Sequence, residues 1–115
     1  MEIDDKIKAD ILALPVFKGK IVTGSMLPVI QIGEKIIVEV KARNIKRFDI
    51  IVFVQDKKLI CHYLWNINRF IEPLLMQTRS LGGRKDYPIG EADYIGKVVS
   101  HKLSFFRKLK IILSQ

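Results

Sequence analysis

Ile3, Ile7, Ile11 and Leu14 recur at helical intervals with charged residues between them, and Pro15 closes the pattern. That spacing lays the apolar side chains along one stripe, so residues 3–14 are expected to form a short amphipathic helix lying on the domain. From Lys18 the period changes. Residues 20–22, 35–40, 50–54, 58–64, 70–77 and 95–99 are short runs rich in Ile, Val and Phe, which predicts strands. Turn signals fall between them at Gly33-Glu34, Gln55-Asp56, residues 66–68 and Gly82-Gly83. Short connections of this kind suit antiparallel hairpins better than long helical crossovers. The fold class expected is therefore mostly β, a coiled, barrel-like antiparallel domain with a short N-terminal helix. One domain spans 1–115: the helix in 1–17, a β core in 18–99 and a basic, apolar tail in 100–115. Within the tail, the apolar positions of 102–113 match neither period well.

Composition agrees with a single core, since 115 residues at 49% apolar content can close one domain without metals or disulfides. A lone Cys61 cannot form an internal bridge or a cysteine-based metal site, and it is most comfortable in a reducing compartment. Twenty Lys and Arg against twelve Asp and Glu give a formal charge of +8, which favours an anionic neighbour. The charge is uneven. Glu2, Asp4, Asp5 and Asp10 gather at the start, whereas after Asp93 come Lys97, Lys102, Arg107, Lys108 and Lys110 with no acid among them. No segment approaches the roughly 20 consecutive apolar residues of a spanning helix, and the first residues lack the basic-then-apolar order of a signal peptide.

The chemistry concentrates in Thr23-Gly24-Ser25-Met26-Leu27-Pro28, followed by Gly33-Glu34-Lys35 and the run Ile36-Ile37-Val38. Beside a glycine, a serine leaving a strand can hold both its hydroxyl and its own N–H toward a substrate. An isolated Gly-Ser pair would be an ordinary turn, but the longer motif closely resembles the nucleophile box of the type I signal peptidase family and its soluble relatives. The likeness continues in order. Arg47-Phe48-Asp49-Ile50-Ile51-Val52-Phe53 resembles that family's Gly-Asp-Ile-Val-Val-Phe strand, and Leu59-Ile60-Cys61-His62-Tyr63-Leu64 resembles the strand bearing its general base. Asp86-Tyr87-Pro88 and Tyr94-Ile95-Gly96-Lys97-Val98-Val99 resemble its closing segment.

The resemblance implies a fold of the signal peptidase and self-cleaving repressor type and a serine endopeptidase. Ser25 would be the nucleophile and His62 the general base, as in the family's histidine branch. An imidazole titrating near about 6.5 can take the serine proton at neutral pH without the desolvation a lysine requires. Asp86 would be the third member, holding the imidazole in one tautomer. The Ser25 N–H and the Thr23 hydroxyl would face the oxyanion, each such donor contributing about 3 to 4 kcal/mol. The edges preceding Ser25 and His62, with Val22 and Ile60, and Met26 beneath the nucleophile, would flank a peptide or precursor bound as an added strand. No cofactor or metal is expected. Three places depart from the family pattern: Phe48 stands for a glycine, Tyr63 for an arginine, and Ser80-Leu81 for a Gly-Asp pair.

Two other readings use the same residues. One is a catalytically inactive peptide-binding module with the same cleft. The other is a basic β-barrel for single-stranded nucleic acid, built around Phe105-Phe106-Arg107-Lys108 and residues 65–69. Solvated charges on core or edge segments explain the latter stretches more simply, so no specific nucleic acid is expected. A self-cleaving repressor is disfavoured, because neither Ala-Gly nor Cys-Gly occurs. The expected location is cytoplasmic. Residues 102–113 are read first as a final element completing the core, and second as a weak contact with an anionic bilayer surface.

Overall fold

A computed structural model describes residues 3–21, 23–68 and 75–114. Helix α1 is Asp5–Leu12, and the strands are β1 Val16–Lys20, β2 Lys35–Val40, β3 Ile50–Gln55, β4 Lys58–Asn68, β5 Leu75–Arg79, β6 Ile89–Gly90 and β7 Tyr94–Val98. Helix α2 is Phe105–Leu113. The centre of the molecule is β3, whose residues Ile50, Ile51, Val52 and Phe53 are all buried. Alternation sends Ile50 and Val52 into one apolar cluster and Ile51 and Phe53 into another, so the strand carries a core on each face. The larger cluster also holds Met26, Ile30, Val38, Tyr63, Ile95 and Val98, and the smaller holds Leu64, Met76, Ile89 and Tyr94.

All the strands join one antiparallel sheet in the order β1-β2-β7-β3-β4-β5-β6. The domain is thus mostly β, and the sheet is open, with β1 and β6 as its edges. Asp56 and Lys57 close the β3–β4 hairpin with φ of 52° and 61°, the left-handed pair that matches strand twist in a two-residue turn. Between β2 and β3, strand β7 comes so close that a Cβ on Gly96 would collide with the Glu39 carbonyl oxygen.

Several expectations change. Helix α1 is shorter than 3–14: Asp4 caps it by accepting the Ile7 N–H at 2.8 Å, and only Ile3 and Ile11 of the expected stripe are buried, with Ile7 and Leu14 exposed. The first strand is Val16–Lys20, beginning ahead of the expected run 20–22, whose last residue lies outside the described residues; Phe17 pairs with Val38 and draws the ladder toward the helix. It therefore starts inside the segment expected to be purely helical. Residues 66–68 are not a turn. Strand β4 runs through them past a register shift between Leu64 and Asn66, since β5 pairs with Asn66, Ile67 and Asn68.

The tail also differs. Among the described tail residues only Leu103 is buried, as a member of the larger core; α2 buries none of its residues and adds only half-buried Ile111 to that core's margin. Among the described residues no helix is long and apolar enough to cross a membrane.

Candidate active site

Ser25 lies in the connection between β1 and β2. This connection is pinched at its base, where the Ile21 N–H donates to the Glu34 carbonyl at 3.0 Å and the Gly33 N–H to the Ile21 carbonyl at 2.7 Å. Two apolar side chains hold the loop down, Met26 and Ile30, which are 1% and 0% exposed. Burying two such side chains contributes about 3 to 6 kcal/mol toward fixing a segment that makes no ladder of its own. Ser25 is the half-buried residue just before the first anchor, and its Oγ lies 3.3 Å from the Thr23 Oγ1. Among the described residues no hydrogen bond uses the Ser25 N–H.

His62 sits mid-way along β4, whose alternation sends Cys61, Tyr63 and Trp65 toward the larger core and His62 to the opposite side with Ile60 and Leu64. The imidazole meets the Phe53 ring edge-on, with centroids 6.0 Å apart. Its Nδ1 is 2.5 Å from Asp86 Oδ2, and Thr78 Oγ1 donates to the same carboxylate oxygen at 2.7 Å. The two side chains of the pair are only 9% and 5% exposed. An ionised carboxylate at that depth requires donors, and His62 and Thr78 supply them. The tautomer with its proton on Nδ1 would satisfy this contact and leave Nε2 as an acceptor.

The turn after β5 makes this meeting. Gly83, at φ 90°, lets its N–H reach the Ser80 carbonyl, while Ser80 and Arg84 exchange bonds at 3.0 and 3.1 Å. The chain is thereby sent back beside β5, and the Asp86 N–H bonds the Thr78 carbonyl at 3.0 Å. Thr78 itself is fully buried on the inner face of β5 with Met76. Motif reading passed over it. The available signal was positional, a hydroxyl residue at an inward place of an otherwise apolar alternation.

The serine loop and the histidine side meet through the backbone. The Leu81 N–H donates to the Ser25 carbonyl at 2.9 Å. Extending the Tyr63–Arg79 pairing by one antiparallel step sets Ser80, the residue before Leu81, across from His62. Among the described residues, no hydrogen bond joins the Ser25 hydroxyl to His62, and its partner is Thr23. Met26 lies in the larger core, Ile60 is half-buried against the smaller one, and Val22 falls outside the described residues.

The departures at Phe48, Tyr63 and Ser80-Leu81 acquire physical meaning. Phe48 has φ 76°, the left-handed region that favours glycine, and its ring lies 6.3 Å from that of Tyr63 and 6.1 Å from that of Trp65. Tyr63 follows His62 but points to the other face of the sheet, where burial pushes its phenol up from the ordinary range. Its identity bears on packing. Ser80 and Leu81 form the turn and the link to Ser25 just described. Burial likewise pushes the Cys61 thiol up to about 12, which leaves it protonated and a poor nucleophile at neutral pH.

Compared with models of known protein families the chain matches none, and a search among characterised proteins found no match. The likeness in the motifs therefore rests on these residues alone.

Proposed function

We propose that the protein is a serine endopeptidase of the signal-peptidase type, in its histidine-base form, and that the open sheet is that family's catalytic fold. The observation that carries this reading is the His62–Asp86 pair, buried and 2.5 Å apart, with the Ser25 loop tied by its backbone to the turn that leads into Asp86. A carboxylate fixed on Nδ1 orients the ring and stabilises the imidazolium that forms during catalysis. Thr78 shares the carboxylate and so limits its rotation.

On this reading Ser25 Oγ attacks the carbonyl carbon of the scissile bond while His62 Nε2 takes the hydroxyl proton. The tetrahedral oxyanion faces the Ser25 N–H and the Thr23 hydroxyl. When it collapses, the C–N bond breaks, the amine leaves with the proton from His62, and an acyl ester remains on Ser25. Water then attacks the ester and gives its proton to His62, which returns it to Ser25 as the acid product departs. The cycle requires the Ser25 hydroxyl to turn from Thr23 to His62 when substrate docks, in keeping with the looser geometry of unliganded sites. Substrate would bind as an extended strand, with small side chains just before the cut, as the family likeness implies.

A second reading draws on the bond between Ser25 and Thr23: an inactive module that binds peptide in the same place. A peptide-library assay separates the two. Under the peptidase reading, Ser25→Ala and His62→Ala each lower cleavage by roughly 10⁴-fold or more. Undiminished cleavage by Ser25→Ala refutes it, and wild-type binding without turnover favours the module.

A further inference from the structure

Helix α2 is amphipathic with its apolar face turned outward. Arg107, Lys108 and Ile111 form the side toward the domain; all three are half-buried, Ile111 packs against the larger core, and Lys108 Nζ lies 5.9 Å from the Phe48 ring centroid. On the opposite side Phe105, Phe106, Leu109, Ile112 and Leu113 fall within about 120° of arc at 3.6 residues per turn. They are 72%, 80%, 40%, 50% and 76% exposed. A helix covering its own domain places such residues inward. Here the two phenylalanine rings meet edge-on in solvent, with centroids 5.8 Å apart.

The charges around this stripe select its occupant. Exposed Lys110 borders the stripe, exposed Lys102 precedes the helix, and no acid follows Asp93 in the sequence. A second copy of the chain, packed stripe to stripe about a two-fold axis, would bring like charges together. An uncharged lipid surface would cover the rings and leave the lysines without a role. An anionic bilayer accommodates both, since aromatic and leucine side chains enter the boundary between headgroups and acyl chains while lysines remain at the phosphates.

We propose that α2 docks the protein on an anionic phospholipid bilayer, inserting Phe105, Phe106, Leu109, Ile112 and Leu113 and placing Lys110 on the headgroup phosphates, with Lys102 adding to the attraction. The proposal is independent of the peptidase reading. It is tested by sedimenting the full chain with phosphatidylcholine vesicles, with and without phosphatidylserine, at low and high salt. The wild type should pellet with the phosphatidylserine vesicles at low salt and be released as salt screens the lysines. Phe105→Ser combined with Phe106→Ser should weaken the partition by roughly tenfold or more. Its denaturant unfolding curve should stay unchanged, because both rings are already in solvent. Lys102→Gln with Lys110→Gln should remove the preference for phosphatidylserine. Absence of wild-type binding to the anionic vesicles at low salt overturns the proposal, as does full binding by the paired phenylalanine variant. A concentration-dependent dimer that this variant abolishes, without vesicle binding, would instead assign the face to a second copy.

Discussion

Nδ1 of His62 and Oδ2 of Asp86 lie 2.5 Å apart although 24 residues separate them, and the same oxygen accepts from Thr78 at 2.7 Å. Replacing the carboxylate and replacing its hydroxyl donor should therefore have different consequences. Asp86→Asn keeps the shape but no longer holds the proton on Nδ1, so on the peptidase reading turnover should fall by about 10⁴-fold. Thr78→Val keeps the volume and leaves a buried carboxylate one donor short, at a cost of about 1.5 to 3 kcal/mol in unfolding free energy. If Thr78 also positions Asp86, its loss shifts the pH–rate profile, which a purely structural role would not do. Wild-type turnover by Asp86→Asn would remove Asp86 from the mechanism.

Phe48 supplies a test in which the usual order of two substitutions reverses. At an ordinary position alanine is more stable than glycine by roughly 0.5 to 1 kcal/mol. At φ 76° an L-residue instead bears a backbone cost of about 1 to 2 kcal/mol that glycine escapes. Both Phe48→Gly and Phe48→Ala lose the ring contacts with Tyr63 and Trp65 and should be less stable than wild type. Between them, the glycine variant should be the more stable. Urea unfolding decides the order, and a more stable alanine variant would contradict the backbone account.

The strands were legible where alternation is regular, as in Lys35–Val40, whose exposed and buried positions follow the period of two. The strand through residues 66–68 was not, because Asn-Ile-Asn has turn chemistry and only its pairing with β5 makes it a strand. Helix α2 was obscured by its neighbours. Leu103 is buried ahead of the helix and Ile111 faces inward, so counting both among the outward residues hides a clear helical stripe. In the candidate site, Ser25, His62 and Asp86 stand out as residue types in a motif order. Thr78 does not, since threonine is ordinary in a strand. The bond from Leu81 to Ser25 runs between backbones, so side-chain identity carries no trace of it.

Glu34 links the base of the serine loop to the segment after β7, and its titration should appear in stability. Its Oε1 accepts the Gln31 N–H at 2.9 Å and its Oε2 lies 3.0 Å from His101 Nε2. The bond from the Gln31 backbone, and after it the bond to His101, hold the carboxyl below its ordinary value of 4.5. A lowered folded value means that the unfolded chain binds the proton more readily. The contribution is therefore present above about 4.5 and is lost as pH falls through the folded value. Glu34→Gln should be less stable than wild type at neutral pH, and the gap should narrow as pH drops below that range. The side chain is 39% exposed, so added salt should screen the carboxylate's contribution and narrow the gap. Unfolding midpoints of both proteins, measured against pH at two salt concentrations, test this directly. A gap that widens on acidification would show that Glu34 is not stabilised as the carboxylate, and the tie between the serine loop and His101 would have to be abandoned.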